Sequence, residues 1–289
     1  MEELKINGKA IYTTKGAARE YGRVGCNFYT GCQHECEYCY LKRGAPSKQL
    51  GGNVVQLKKC FKDEDDALAK FNKDVERYKD VLQKTGVFFS FTTDPLIEET
   101  RTLTTRALQV LMEHDIPAKV LTKDASWIFD EYTKTFFFGI LPSSGKDVHL
   151  GFTLTGRDDM EPNASSNTKR IGVMRLLKEH HPDVKTWASI EPVIDWEHAT
   201  VAVLMSLDCC DHYKIGLRSG VKKDYYDLTQ SGIYLDNLTK MIAGAGKTVY
   251  LKESARALLR RCYKEDYYNE ILSRTVDMDG NPITITTTI

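Results

Sequence analysis

Four of the eight cysteines in this chain, Cys26, Cys32, Cys36 and Cys39, lie within fourteen consecutive residues. The last three follow the spacing C-x3-C-x2-C. A chain of 289 residues is large enough to fold around a hydrophobic core without a disulfide framework. Residues 1–11 carry charges and no apolar signal segment, so we expect a cytoplasmic protein. In that setting, clustered cysteines indicate a metal or redox site.

The three closely spaced cysteines suit a metal site that is only partly closed by protein ligands. Three thiolates on one loop can hold three irons of a [4Fe–4S] cubane, which leaves the fourth iron free to bind another molecule. A zinc site would need a fourth ligand, and Cys26 would supply it. Structural zinc sites usually combine two separated pairs of ligands, which this spacing lacks. An iron–sulfur cluster is therefore favoured, with a non-catalytic iron–sulfur or zinc protein as the alternative.

Short apolar segments rich in β-branched and aromatic residues alternate with helical periodicity from residue 87 onward. Helices are predicted over residues 64–83, 98–113 and 167–180, and Asn7-Gly8 predicts a type I′ hairpin turn. This alternation predicts an α/β fold with a parallel sheet, whose active site would lie at the C-terminal ends of the strands. Besides one strand before the cysteine loop, the predicted strands are Val87–Thr92, Ala118–Thr122, His149–Leu154, Thr186–Ile190, Tyr213–Leu217 and Thr248–Leu251.

The segment from Asn27 to Tyr40, NFYTGCQHECEYCY, resembles the radical S-adenosylmethionine superfamily, and more narrowly its spore photoproduct lyase-like branch. The shared features are C-x3-C-x2-C followed by tyrosine, Tyr-x-Gly before the first cysteine, and His34 between the first two cysteines. The resemblance continues in order to residue 194. It implies a partial (β/α)6 radical-SAM barrel over residues 23–256, with small extensions at residues 1–22 and 257–289.

The resemblance also implies a chemistry. Cys32, Cys36 and Cys39 would hold a [4Fe–4S] cluster whose open iron binds S-adenosyl-L-methionine. An electron from a donor such as flavodoxin or ferredoxin would cleave the sulfonium, and the resulting 5′-deoxyadenosyl radical would abstract a hydrogen atom from the substrate. Tyr38, just before the third cysteine, matches the aromatic position that contacts the adenine.

Residues at three predicted strand ends are the remaining candidates for cofactor binding. Within Ser90–Pro95, Thr93 stands where the family has a serine that contacts the cofactor, and Asp94 would orient the methionyl ammonium. The alternative for Asp94 is an N-cap of the next helix. Lys123 would bind the cofactor carboxylate through a charge-assisted hydrogen bond, or else be a solvated lysine. Thr153 would contact the ribose or the methionyl group.

Two residues are candidates for a catalytic role. Tyr40 matches a tyrosine of the hydrogen-transfer path in the lyases. Glu191 is a carboxylate at the predicted barrel mouth, where it needs a partner: it would contact substrate or pair with Lys123, with a structural ion pair as the alternative. Phe91 departs from the lyases, which carry the hydrogen-returning cysteine at this position. We therefore expect a radical S-adenosylmethionine enzyme that acts on an unknown substrate. The alternative is a DNA-lesion lyase that uses a relocated hydrogen donor.

The charge distribution gives limited guidance about the substrate. The 40 basic and 40 acidic residues cancel, and a neutral chain does not favour tight binding to a nucleic-acid duplex. Residues 1–62, however, hold eleven Lys or Arg against five Glu, a net charge of +6, which keeps a nucleic-acid substrate open. No apolar run approaches the roughly 20 residues that span a bilayer, so we expect no membrane association.

Overall fold

The computed structural model describes residues 5–43, 47–50, 52–222 and 224–283. Its strands are β1 (Ile11–Thr13), β2 (Val24–Cys26), β3 (Tyr29–Thr30), β4 (Gln56–Leu57), β5 (Val87–Phe89), β6 (Ala118–Thr122), β7 (Val148–Thr153), β8 (Thr186–Val193), β9 (His212–Leu217) and β10 (Thr248–Leu251). Eight of them form one sheet in the order β1-β2-β5-β6-β7-β8-β9-β10, while β3 and β4 form a separate antiparallel pair.

The main sheet is parallel from β2 to β10, and only β1 runs antiparallel, at the edge beside β2. The prediction of an α/β fold with a parallel sheet is thus confirmed. The helices are α1 (Ser47–Leu50), α2 (Glu64–Thr85), α3 (Arg101–Glu113), α4 (Glu131–Thr135), α5 (Leu141–Ser144), α6 (Asn167–His180), α7 (Trp196–Ser206), α8 (Leu228–Gly244), α9 (Glu253–Cys262) and α10 (Glu265–Ser273). None of the described helices is long and apolar enough to cross a membrane.

Alternate residues of β5 face opposite sides of the sheet, as the pleat requires. Phe89 packs against Phe71 of α2, with ring centroids 6.2 Å apart, on the helical side. Phe88 faces the other side, where its ring lies 6.4 Å from that of Trp187 on β8. Three strand spacings of about 4.8 Å would separate these strands by roughly 14 Å in a flat sheet. The sheet is therefore curved around an interior that Phe88 and Trp187 help to fill.

The segment between β1 and β2 enters this interior. The Tyr21 ring lies 5.4 Å from Phe88 and 6.2 Å from Trp187, measured between centroids. Its hydroxyl lies 2.8 Å from Ser189 Oγ of β8, and Lys214 Nζ of β9 donates to the Glu20 carbonyl at 2.6 Å. An N-terminal segment thus packs inside the curved sheet and contacts strands that follow it by more than 160 residues.

Two local predictions are corrected by tertiary contacts. The strand predicted over Val87–Thr92 ends at Phe89, because the Asn27 side chain accepts the Phe91 N–H at 2.7 Å and turns the chain. The turn predicted at Asn7-Gly8 lies further on, because Asn7 pairs with Tyr12. Asp74 of α2 accepts the Ala10 N–H at 2.8 Å and so helps fix that register.

Candidate functional site

The residues singled out in the sequence collect at one edge of the sheet. The cysteine loop follows β2, and the loops after β5 and β6 carry Asp94 and Lys123. Thr153 is the last residue of β7, and Glu191 lies two residues before the end of β8. These strands are parallel neighbours, so their C-terminal ends meet at the same edge.

The cysteines of the loop differ in their surroundings. Cys26 is fully buried in β2 and belongs to the main hydrophobic core, away from the loop. Cys36 is buried against Tyr38 and Ile194, whereas Cys32 and Cys39 are partly buried. Burial raises the pKa of Cys32 to about 12 and raises that of Cys36, while the Lys123 ammonium opposes both shifts. Cys36 interacts electrostatically with both Cys32 and Cys39.

The donor set suits a cluster better than an all-protein metal site. Among the described residues, no three or more His, Cys, Asp or Glu side chains are gathered as ligands of one ion. The loop nevertheless offers three soft thiol donors, which are the ligands that iron–sulfur clusters take. The Thr93 hydroxyl, buried after β5, has no hydrogen-bond partner within the described part of the chain, which is rare for a buried polar group. Three thiols with no fourth ligand and an unsatisfied hydroxyl fit a cluster with an additional small molecule.

Asp94 ties the cysteine loop to the sheet. Its Oδ2 lies 3.0 Å from His34 Nε2 and accepts the Lys123 N–H at 2.7 Å. Its Oδ1 accepts from the Thr122 hydroxyl at 2.7 Å and from the Leu96 N–H at 3.0 Å. Burial opposes the charged form, but these donors, His34 foremost, hold the pKa of Asp94 down at about 2. Four donors occupy the roughly four acceptor positions of a carboxylate.

The N-cap alternative for Asp94 does not match its contacts. Helix α3 begins at Arg101, and its N-cap residue is Thr100, whose side chain caps no N–H. The Thr100 hydroxyl instead donates to the Asp94 carbonyl at 2.9 Å. The Asp94 carboxylate is therefore committed to fixing the cysteine loop against β6.

A second buried network holds Tyr38. Its hydroxyl donates to Glu161 Oε1, and Glu161 Oε2 forms an ion pair of 2.7 Å with Arg170 Nη2. Both partners of that pair have fully buried side chains. Arg170 also donates to the carbonyls of Thr153 at 2.7 Å and Lys123 at 3.1 Å. The network fixes Tyr38 relative to the ends of β6 and β7.

Lys123 brings a positive charge to the cysteine loop. Its Nζ lies 5.6 Å from the centroid of the Tyr38 ring. Burial disfavours the charged ammonium, but electrostatic interactions with Cys36 and Glu161 outweigh burial and raise the pKa of Lys123. The side chain is partly buried, so Lys123 is not a freely solvated lysine.

Glu191 has a partner other than the one proposed for it. Its Oε2 lies 2.5 Å from Lys252 Nζ, directly after β10, and also accepts from the Tyr21 hydroxyl. A Cβ on Gly216 of β9 would lie 2.8 Å from the Glu191 carboxyl carbon, so glycine makes room for this ion pair. Pairing of Glu191 with Lys123 is therefore replaced by pairing with Lys252. The structural ion pair named as the alternative is present.

Tyr40 and Phe91 lie beside this ion pair. The Tyr40 hydroxyl donates to the Phe91 carbonyl, and Tyr40 interacts electrostatically with both Tyr21 and Glu191. The Phe91 ring packs on Phe88 at 4.6 Å between centroids. Phe91 therefore fills part of the curved interior instead of presenting a reactive group.

Sequence reasoning did not assign a role to Tyr21, Lys214 or Lys252. Lys252 could have been found, because it directly follows a predicted strand as Lys123 does. Tyr21 carried no such signal, since its neighbours come from strands far along the chain.

Comparison with solved structures supports the arrangement of the elements. SuiB from Streptococcus suis, solved bound to S-adenosylmethionine, matches 77% of this chain with a TM-score of 0.52 and 13% sequence identity. SuiB alone gives 0.51 at 14% identity, and SuiB bound to the precursor peptide SuiA gives 0.52 at 13% identity, both over 77% of this chain. Over the matched region, the fold of this chain is similar to that of SuiB. At this level of identity the likeness concerns the fold.

The shared region is about half of SuiB. The match covers 48% of SuiB in the S-adenosylmethionine complex and 46% in the other two structures. No protein-family profile matches this chain, and no curated protein is similar to it in sequence.

Proposed function

We propose that this protein is a radical S-adenosylmethionine enzyme with a [4Fe–4S] cluster on Cys32, Cys36 and Cys39. The shared fold with SuiB supports the superfamily. The observation that carries the proposal is the position of Lys123, whose ammonium interacts with Cys32 and Cys36 and lies against the Tyr38 ring. When bound, the cluster would supply the electron that cleaves S-adenosylmethionine to a 5′-deoxyadenosyl radical.

The residues of this chain would bind and orient the cofactor. Lys123 offers a cation to a carboxylate, and its charge opposes the burial that keeps the thiols protonated. The unpaired Thr93 hydroxyl offers a hydrogen bond to a polar group of the ligand. Tyr38 offers a ring fixed by Glu161, and Thr153 lies at the end of the neighbouring strand.

The finer assignments extend this proposal. We place the protein in the spore photoproduct lyase-like branch, with a partial (β/α)6 barrel over residues 23–256 and extensions at 1–22 and 257–289. It would work in the cytoplasm with an electron donor such as flavodoxin or ferredoxin. Tyr40 and Glu191 are the proposed catalytic residues, because they interact electrostatically with each other and Tyr40 also interacts with Cys32 and Cys39 of the loop.

Phe91 argues against lesion repair by the photoproduct lyases' own mechanism. Its ring is packed on Phe88 and Tyr21 and cannot return a hydrogen atom to a product radical. A DNA-lesion lyase would therefore need a donor elsewhere in the chain. SuiB was solved with a precursor peptide, so peptides join nucleic acids among the substrate classes to be assayed.

The test is production of 5′-deoxyadenosine by anaerobically reconstituted, reduced protein. We expect the wild type to convert S-adenosylmethionine to 5′-deoxyadenosine and Cys36→Ala to form none. Cys60→Ala is the matched control, because Cys60 is exposed and lies outside the loop, and it should retain activity. A folded wild type that binds its metal and S-adenosylmethionine but never yields 5′-deoxyadenosine would favour the non-catalytic alternative.

A further inference from the structure

A cavity of about 300 Å³ lies between the end of β8, the start of α7 and the start of α8. Pockets of this volume are at the small end of ligand sites and suit a single side chain better than a whole cofactor. Ile194 connects the cavity to the cysteine loop, because it lines the cavity and is buried against Cys36 and Tyr38. The cavity therefore adjoins the candidate site without sharing its proposed ligands.

Four aromatic rings line the cavity: Trp196, Tyr225, Tyr226 and Tyr234. Trp196 lies parallel to Tyr234, with an interplanar angle of 9° and ring centroids 5.9 Å apart, and Tyr225 meets Tyr226 edge-on at 4.8 Å. The polar atoms of three of these rings are hydrogen-bonded: Trp196 Nε1 donates to Ser231, Tyr225 donates to the Ile194 carbonyl, and Tyr226 donates to the Val193 carbonyl. Fixed rings whose polar ends are occupied present π-surfaces to a ligand.

The titratable groups that line the cavity are three carboxylates and one imidazole: Asp195, Glu197, Asp227 and His198. Asp195 is neutralised by Arg157 at 3.0 Å and caps α7, while Asp227 caps α8 by accepting the Gln230 N–H at 2.7 Å. The Glu197 carboxylate has no hydrogen bond or ion pair among the described residues and is exposed. Among the described residues, no Lys or Arg lines the cavity.

This combination favours a cation over an anion. Two helix N-termini meet at the cavity and would attract an anion, but Asp195 and Asp227 already occupy them. The unpaired charge that remains is that of Glu197. Aromatic rings attract ammonium and guanidinium groups through their π-faces. Arg218 already stacks on Tyr225 at 6.0 Å from outside the lining, which shows that this ring accommodates a cation.

We propose that the cavity lined by Trp196, Tyr225 and Glu197 binds an organic cation, the alkylammonium or guanidinium group of a ligand. Carbon segments of such a group would pack on the rings, and its charge would face the Glu197 carboxylate. If the proposed function holds, the same cavity would fix a cationic part of the substrate next to the cysteine loop. This last step rests on the proposed function, whereas cation binding does not.

The test uses the full chain and two probes that differ only in charge. Calorimetry would compare Nα-acetyl-L-lysine amide with Nα-acetyl-L-2-aminoheptanoic acid amide, a neutral isostere in which a methyl group replaces the ammonium. We expect the lysine probe to bind roughly 3- to 30-fold more tightly, as cation–π attraction predicts. Equal affinities for the two probes, tighter binding of Nα-acetyl-L-aspartate amide, or no saturable binding of the lysine probe would overturn the proposal.

Substitutions in the lining locate the binding. Glu197→Gln and Tyr225→Leu should each reduce the preference for the lysine probe, because one removes the free charge and the other a π-face. Both residues are exposed, so neither change should unfold the chain. The matched control is Glu131→Gln, an exposed glutamate in the first turn of α4 as Glu197 is in α7, and it should leave the preference unchanged. An unchanged preference in both lining variants would place any binding elsewhere and overturn the assignment.

A cluster-free variant separates the two proposals. Cys32→Ala should abolish 5′-deoxyadenosine formation and leave the lysine preference intact. If the wild type forms 5′-deoxyadenosine but shows no lysine preference, the cavity proposal fails alone. If the preference is present but no folded, metal-loaded wild type forms 5′-deoxyadenosine, the function fails alone.

Discussion

Lys123 lies directly after β6, and Lys214 lies within β9. Their surroundings shift the pKa values of the two side chains in opposite directions. Around Lys123, Cys36 and Glu161 outweigh burial and raise the pKa. Lys214 is 2% exposed, with its Nζ 5.4 to 5.8 Å from the ring centroids of Tyr21, Trp187 and Tyr250. Burial, with repulsion from Lys119 and Lys252, lowers the pKa of Lys214 to about 7. The surroundings of Lys123 stabilise its charged form, whereas those of Lys214 destabilise its charged form.

The Lys214 shift predicts a pH-dependent stability. Between pH 7 and about 10.5 the unfolded chain keeps a proton that the folded chain has released, so this group makes stability rise with pH by at most about 1.4 kcal/mol per unit. Lys214→Met should lack this contribution. Urea unfolding at pH 6.5 and 8.5 should show the variant gaining less than the wild type on going to higher pH. Identical pH dependence in both proteins would mean that Lys214 titrates normally.

The positive charge of Lys123 predicts that removing this side chain lowers the affinity for the cofactor. Lys123→Ala should weaken S-adenosylmethionine binding by roughly 1.5 to 3 kcal/mol, the value of a hydrogen bond to a charged group, and should leave the iron content unchanged. Calorimetry on reconstituted protein measures it. Lys134→Ala, at an exposed position in α4, is the matched control. Equal affinities in the Lys123 variant and the wild type would remove Lys123 from the proposed cofactor site.

At the scale of elements, the cysteine loop is held by ties to three loops of the sheet. His34 contacts Asp94 after β5, and Asp94 contacts the backbone of Lys123 after β6. The Glu37 N–H donates to the Met160 carbonyl at 3.0 Å, in the segment that follows β7. These ties order the loop by interactions that do not involve the cysteine thiols.

Weakening one tie should loosen the loop. Asp94→Asn keeps the shape of the side chain but removes the charge that strengthens its hydrogen bonds. We expect hydrogen exchange in residues 32–39 to accelerate about tenfold or more, from the loss of about 1.5 to 3 kcal/mol. Exchange in α8 should not change, because that helix lies outside the network. Unchanged exchange in the loop would show that the thiols and backbone contacts order it without Asp94.

Elements whose signal is local could be predicted, and those set by distant contacts could not. The apolar pattern gave β6 and β10 with their observed bounds, and α6 over the observed residues. The early end of β5 depends on the Asn27 side chain, and the register of the N-terminal turn depends on Asp74. Neither Asn27 nor Asp74 is close in sequence to the element that it changes. The hydrophobic periodicity of that element therefore cannot predict the contact.

At the scale of the whole molecule, the curved sheet brings distant residues into one interior. The cysteine spacing indicated the cysteine loop, and the family resemblance indicated Asp94 and Lys123, which follow predicted strands. The Glu191–Lys252 ion pair at 2.5 Å could not be predicted, since its formation depends on how the ends of β8 and β10 align on either side of β9. Gly216 is the residue whose small size permits that approach.

Two glycine substitutions test this packing. Gly216→Ala would place a Cβ 2.9 Å from both Glu191 Oε1 and Lys252 Cδ, and should destabilise the fold by about 1 to 3 kcal/mol. Gly172→Ala is the control, because no atom lies within 4 Å of its Cβ on the exposed face of α6, and it should stabilise by about 0.5 to 1 kcal/mol. Urea unfolding measures both. A neutral Gly216→Ala would mean that the ion pair moves aside without cost.

The most direct test of the central claim is the metal content of anaerobically purified protein and its cysteine variants. We predict about four irons per chain for the wild type, as expected for one cubane cluster. Cys26→Ala should keep that iron, because Cys26 is buried in the core of β2, and Cys60→Ala should keep it as an exposed control. Replacing Cys32, Cys36 or Cys39 by Ala should abolish it. The account would be contradicted if the wild type contained zinc instead of iron and if Cys26→Ala lost that zinc as fully as the three loop variants.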